Sequence, residues 1–373
     1  MLNLANCRER QHRLLRLMEE QRLDVAVLSN PKSVYYFSGA LVDPALPQAF
    51  GIASSGRSLL VANAQPEQVA ADQMDLYTGY TLERPFNRVT MHAELAAAVA
   101  RRFPGVSGRA GLEFDSAGAG LAAGDTGFAG RGTPVDVSLW LCEMRRRKDP
   151  DEIAAIRDAI RITEAAYAAV KARLAPGMTE CDAYNIVSAA MVDAAGTSVL
   201  LRGDFACGPR AIGGGGPPTT RPLASGDLCV FDLFPTHEGY LCDLCRTFVV
   251  GTPSAAQRDA WAHVMEAHTV ARRVMRPGVT GREIYQAVKD HLEAYPKFRG
   301  SFNHHAGHGL GMDGWEYPWL TPGSGQALQE GEVVACEPGL YGEELQGGIR
   351  LEHNYLVGAG GVAPLDTFPM ELD

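Results

Sequence analysis

Two aspartates, Asp232 and Asp243, stand inside the apolar segment VFDLFPTHEGYLCDLCRTFVV, residues 230–250. If this segment is a hairpin that turns between His237 and Glu238, the two acids face each other across it. Facing like charges destabilise a ladder, and a carboxylate among Val, Phe and Leu is costlier still. Something positive is expected between them. A second hairpin-like segment, VVACEPGLYGEELQGGIRLEHNYLVG, carries Glu337 and Glu352 evenly spaced about a loop near Glu344 and Leu345. Four carboxylates at one point persist only if cations neutralise them. In the competing reading these acids face solvent or pair with Arg246 and Arg350, but apolar residues flank them on both faces.

A fifth ligand candidate lies in FNHHAGHGLGMDGWEYPW, residues 302–319. Neutral imidazole together with several carboxylates suits Mn, Co, Fe or Zn, rather than calcium or a structural zinc cage. Two metals bridged by shared carboxylates are expected. Cys242 and Cys245 form a CxxC, yet residues three apart on a strand face opposite sides, which disfavours a redox or zinc pair. GLGMDG matches a dinucleotide fingerprint, but Pro318 and Pro322 spoil the helix that must follow it. The glycine run 213–216 lacks a following GK[ST] and reads as a loop.

The elements that position these residues fall into two parts. Residues 1–146 alternate amphipathic helix (Leu14, Leu17, Met18), strands (LDVAVLS, SLLVAN, AGLEF) and an Ala-rich helix, which predicts a small α/β domain. Residues 147–373 open on Asp149, Pro150 and Glu152, a helix start, followed by apolar residues at helical spacing from Ile153 to Leu174. This second domain contains an internal repeat, PGMTECDAYNIV at 176–187 against PGVTGREIYQAV at 277–288. Both copies carry a capping-box threonine, Thr179 or Thr280, with an acid three residues on. Two related halves, each with an acidic hairpin, would bring the four carboxylates together by pseudo-symmetry.

Bulk properties restrict the function. A length of 373 residues with 46% hydrophobic content supports two packed domains. A net charge of -10 argues against nucleic acid and anionic membrane surfaces as partners. No run of about 18 apolar residues and no signal-peptide pattern occurs, so a cytoplasmic address is expected. Eight scattered cysteines read as reduced thiols.

Taken together, the motifs GDLCVFD, GYLCDLCRTF, GHGLG, EPGLY and GIRLE resemble those of the creatinase, prolidase, aminopeptidase P and methionine aminopeptidase family. The resemblance covers most of the chain. It implies an α+β pita-bread catalytic domain of pseudo-symmetric halves, preceded by a smaller α/β domain of the creatinase/prolidase type. It further implies Asp232, Asp243, His308, Glu337 and Glu352 as ligands of two divalent ions, manganese first among Mn, Co, Zn and Fe. A homodimer is implied as well.

The implied activity is that of an Xaa-Pro aminopeptidase or dipeptidase, cleaving a peptide or peptide-like amide with a metal-bridged hydroxide. Glu337 would accept and shuttle the proton, His304 would stabilise the tetrahedral intermediate, and Arg350 would orient a carboxylate. Two substrate-facing histidines of the family are missing. Trp315 stands at one position, and the loop AIGGGGPPTTRPL has none at the other. Standard peptidase activity therefore does not follow automatically, because lost donors in a dry site can cost orders of magnitude in rate. The alternatives are a metal-dependent C–N hydrolase or lyase acting on a non-peptide small molecule, or a non-catalytic binding protein on the same fold.

Overall fold

The computed structural model describes residues 1–85, 87–104, 108–116 and 133–373. The chain divides into two compact units, Met1–Met144 and Arg145–Asp373.

In the first unit the helices α1 (Leu4–Glu20), α2 (Pro31–Ser38) and α3 (Arg88–Arg102) start on asparagine caps, Asn3, Asn30 and Asn87, whose side chains accept early backbone N–H groups. The strands β1 (Val25–Leu28), β2 (Ala49–Ala53), β3 (Ser58–Ala62), β4 (Gln73–Leu76), β5 (Arg109–Leu112) and β6 (Thr133–Asp136) form one mixed sheet in the order β4-β3-β2-β1-β5-β6. Met91, Leu95 and Val99 of α3 pack on Val25, Val27, Leu59 and Val61, so the helical period of one element meets the strand period of the others. A helix, α4 (Ser138–Arg146), follows.

The second unit is built twice from the same grammar. Helices α5 (Pro150–Lys171) and α6 (Glu180–Ala195) precede the sheet of β7 (Gly203–Cys207), β8 (Leu228–Leu233) and, beyond the short ribbon β9 (Thr236–His237) and β10 (Tyr240–Leu241), β11 (Leu244–Val249). Helices α7 (Ala255–Val274) and α8 (Gly281–Glu293) precede β12 (Gly307–Gly309), β13 (Glu316–Leu320), β14 (Val333–Cys336), β15 (Gly339–Gly342), β16 (Gly347–Arg350), β17 (His353–Gly358) and β18 (Gly361–Pro364). The repeated Pro-Gly turns are structurally equivalent. Thr179 and Thr280 both close capping boxes, and the turn glycines donate to matching carbonyls, Gly177 N to Leu223 O and Gly278 N to Leu328 O, each at 2.9 Å.

One sequence expectation is corrected. Asp232 pairs in register with Cys245, not Asp243, because the turn centres one residue later on Glu238 and Gly239, both with positive φ of 46° and 81°. The acid facing Asp232 is Asp204 of β7. The second hairpin follows its expected spacing. Gly339 pairs with Arg350 and Cys336 with His353, which sets Glu337 against Glu352.

The halves meet along an antiparallel seam in which side chains replace part of the ladder. Glu352 N donates to Cys245 O at 3.0 Å. On one side of that bond Thr247 Oγ1 donates to Arg350 O at 2.9 Å and accepts from Arg350 N at 3.0 Å. On the other, Asp243 N donates to Asn354 Oδ1 at 3.0 Å while Asn354 Nδ2 donates back to Asp243 O. The seam thus places Asp243 beside Glu352. Asn354 is fully buried, and Asn354→Leu would strand both backbone groups of Asp243. It is expected to lower unfolding stability by about 2 kcal/mol. Urea unfolding of the metal-free protein measures this, and an unchanged midpoint would show that other contacts hold the seam.

Candidate metal centre

His308 sits on β12 between two glycines that let this strand lie close to its neighbours. A Cβ at Gly307 would run into Ala335 O, and one at Gly309 into Tyr317 O. His308 Nδ1 lies 3.0 Å from Gly309 O, so it carries the proton and leaves Nε2 a bare acceptor. That Nε2 points at Glu337 Oε1, 3.5 Å away, and Asp243 Oδ2, 3.6 Å away. Single donor atoms of Asp243, His308 and Glu352 all lie within 4.8 Å of one another. Asp232 touches this group through Glu352 and Asp243, so all five expected residues converge.

The donor set fits divalent cations. Asp232 Oδ1, Asp243 Oδ1 and both Glu352 oxygens are buried and accept no hydrogen bond among the described residues. Buried carboxylate oxygens left this way are far outside the norm. Burial first, then the neighbouring acids, push the Asp243 and Glu352 carboxyls well above their ordinary range. Burial raises Asp232 to about 6 despite Arg350. Burial would also raise Glu337, but His305 foremost, with His308 and His304, pushes it down to about 2.

The remaining predicted residues are distributed as follows. Arg350 Nη2 donates to Asp232 Oδ2 at 2.6 Å and to Asp204 Oδ2 at 3.0 Å, so the carboxylates it orients belong to the protein. His304 has both nitrogens engaged, Nδ1 with His305 O at 2.7 Å and Nε2 with Tyr341 Oη at 3.2 Å. Burial lowers its pKa to about 4, leaving it neutral. His305, not singled out from the sequence, brings Nδ1 to 3.1 Å from Glu337 Oε1. Burial alone would lower His305, yet Glu337 raises it. The HH doublet was the available signal, but only the fold tells which member faces the acid.

Trp315 is exposed, and its ring lies 6.4 Å from that of Trp319, which in turn packs 5.5 Å from His308. Cys242 and Cys245 are buried free thiols, with Cys242 Sγ 3.2 Å from Thr163 Oγ1. A separate His263, Glu266 and His291 group has imidazole nitrogens near backbone carbonyls, Leu292 O and His263 O, and those contacts link α7 to α8.

The loop leading from His308 to Trp315 is held by Glu316. Glu316 Oε1 accepts from Met312 N at 3.2 Å and Asp313 N at 3.1 Å, and Oε2 accepts from Lys148 Nζ at 2.8 Å. Nothing in the sequence links Lys148 to Glu316.

A pseudo-symmetric α+β unit with buried acids beside a cluster of imidazoles defines a metal-dependent hydrolase of the pita-bread class. The model of metallopeptidase family M24 matches residues 154–359, and that of the creatinase/prolidase N-terminal domain matches residues 10–147. The chain belongs to metallopeptidase family M24 and is a metallopeptidase-like hydrolase. It is 30% identical over 264 residues to the uncharacterized peptidase YqhT of Bacillus subtilis, covering 71% of this chain and 74% of that protein. An uncharacterized peptidase of Staphylococcus aureus is 27% identical over 361 residues, 91% and 93% of the two chains. Among solved structures, the Xaa-Pro dipeptidase of Bacillus anthracis superposes with a TM-score of 0.85 at 23% identity, covering 98% and 99% of the two chains. The prolidase of Pyrococcus horikoshii superposes at 0.82 with 23% identity, covering 98% and 100%. No helix of the described residues is long and apolar enough to cross a membrane.

Burial opposes ionisation of Glu316, but Lys148 and Arg145 outweigh it and hold the carboxyl below its ordinary value of 4.5. A depressed folded-state value stabilises the protein above the unfolded value and loses that contribution as pH falls through the folded one. Lys148→Met is therefore expected to destabilise the protein by about 3 kcal/mol at pH 7, because it leaves a buried charge unpaired. The deficit should shrink below pH 4.5 as Glu316 takes up a proton. Denaturant titrations at pH 7 and pH 4 measure it, and a deficit that grows in acid would refute the assignment.

Proposed function

We propose that this protein hydrolyses the amide bond of a small peptide or peptide-like substrate at a two-metal centre held by Asp232, Asp243, His308, Glu337 and Glu352. The observation that carries this reading is the set of buried carboxylate oxygens without donors, gathered around a histidine whose Nε2 is free to ligate. When bound, two divalent ions supply a Lewis acid for the scissile carbonyl and an acidified water. Manganese as the working ion, a homodimeric state and a cytoplasmic address belong to the same reading.

The chain's own groups do the proton work. Glu337 is ionised at neutral pH and accepts the proton released as water adds to the carbonyl carbon. His305 Nδ1 lies 3.1 Å from Glu337 Oε1, and as an imidazolium it pairs with that carboxylate by charge. The proton returns to the departing nitrogen as the C–N bond breaks. His304, neutral and bound to Tyr341, shapes the wall beside Glu337.

The experiment is product analysis by mass spectrometry after manganese-loaded protein meets a library of dipeptides and tripeptides that includes Xaa-Pro members. Asp243→Ala is expected to lose bound metal and at least about a hundredfold in turnover, beyond what loss of a supporting group alone would cost. Full activity in that variant would sink the reading. His305→Ala should keep its metal and lose about a hundredfold in kcat; an unchanged kcat would remove His305 from the proton path. The second reading, a non-peptide amide or related small molecule, is favoured by Trp315 and the histidine-free loop 211–223. It gains if a fully metal-loaded protein leaves every peptide intact.

A further inference from the structure

The register of the first sheet sets Asp204, Asp232 and Cys245 side by side on three neighbouring strands, β7, β8 and β11. Directly opposed residues point to the same face of a sheet. Asp204 therefore stands at the metal centre, a fifth acid there beyond the four ligand carboxylates. Its surroundings set it apart from them. Its side chain is 28% exposed, against 12% for Asp232, 9% for Asp243 and 7% for Glu337. The cluster reaches solvent at Asp204 and also at His305, whose side chain is 29% exposed.

Asp204 uses one oxygen within the protein. Oδ2 accepts from Arg350 Nη2 at 3.0 Å, and the described structure gives Oδ1 no hydrogen bond. The loop above is shaped around this carboxylate. A Cβ built on Gly215 would fall on Asp204 Oδ2, the same oxygen that holds Arg350. Phe205 N is tied to Gly216 O at 2.7 Å, which keeps the loop in place. A side chain at residue 215 would push the Asp204 carboxylate out of its present position.

Charge decides what such a carboxylate recognises. Arg202, two residues before Asp204, lies over the Phe234 ring, and three further arginines are ion-paired. Arg350 lies on Asp232 and Asp204, Arg210 on Glu180, and Arg221 on Asp227. Asp204 Oδ1 is an open acceptor beside the reacting centre. A cationic group can reach it with a charge-assisted hydrogen bond in a partly dry setting.

We infer that Asp204 is the specificity-determining residue of this site and that it selects substrates bearing a guanidinium or ammonium group, docked on Oδ1 next to the scissile amide. This deepens, and rests on, the reading of the centre as an amide hydrolase. Glycine at 215 leaves room for the Asp204 carboxylate, and Arg350 holds it in place.

Binding and turnover separate the two claims. Calorimetry on the manganese-loaded protein, with n-butylguanidinium against the neutral isostere n-butylurea, is expected to give an affinity ratio of about ten or more. The ratio should fall to about one in Asp204→Asn and should drop in Gly215→Ala, whose new Cβ displaces the carboxylate. Metal content is checked in each variant, and if Asp204→Asn loses metal, Gly215→Ala decides. Equal binding of the two probes by the wild type, or a wild-type ratio in Gly215→Ala and in a metal-replete Asp204→Asn, overturns the inference. In turnover, a peptide carrying arginine should be cleaved with a lower KM than its citrulline counterpart. Turnover of both with equal KM overturns the inference and leaves the hydrolase reading standing. No turnover of either, with the guanidinium preference intact, overturns the hydrolase reading and leaves the cation site standing.

Discussion

Carboxylates packed into a dry interior repel one another, and burial opposes their ionisation, so they stay together only where the backbone leaves no other arrangement. Here the backbone constraint is the seam at 243–247 and 350–354. There Asn354 and Thr247 supply from their side chains the hydrogen bonds that a continuous sheet would supply from its ladder. This juncture lets strands from two separate sheets run together without merging, and Asp243 and Glu352 project from it. An apolar residue at position 354 would fill the volume but leave buried amide and carbonyl groups unpaired.

The reverse side of the seam carries its own lock. Arg246, almost wholly buried, donates to Asp366 Oδ2 at 2.8 Å and to the carbonyls of Phe368 and Pro369 at 2.7 and 3.1 Å. Asp366 also meets His353 Nδ1 at 2.7 Å and accepts from Asn354 N at 2.9 Å. One buried ion pair thereby ties the C-terminal segment to both strands of the seam. The acids of the centre and the Arg246 network share a backbone, so the electrostatics of one face depend on the packing of the other.

Within the centre, the imidazoles and Arg350 divide the acids into two kinds. Glu337 faces three histidines and stays ionised, while Asp243 and Glu352 face other acids and resist ionisation. The same polypeptide thus holds an ionised carboxylate beside carboxyls that favour their protons. The difference comes from neighbours, not from residue type.

Much of this was legible in the sequence, because burying a charge leaves a conspicuous trace. An acid inside an apolar strand is costly enough to need a reason, so Asp232, Asp243, Glu337 and Glu352 stood out, and a capping box repeated after the same Pro-Gly turn disclosed the duplicated half. Asp204 in GDFAC carried the same trace but sat in a strand too short to draw notice. Other features were decided only by the tertiary structure. The positive-φ pair Glu238–Gly239 moved the hairpin turn by one residue and exchanged Asp243 for Cys245 opposite Asp232. The choice of His305 over His304 as the partner of Glu337, and the pairing of Lys148 with Glu316 across 168 positions, likewise depended on the fold. Local chemistry marks which residues are expensive to bury. Which groups share that cost is set by register and long-range packing, and neither is written in any one segment.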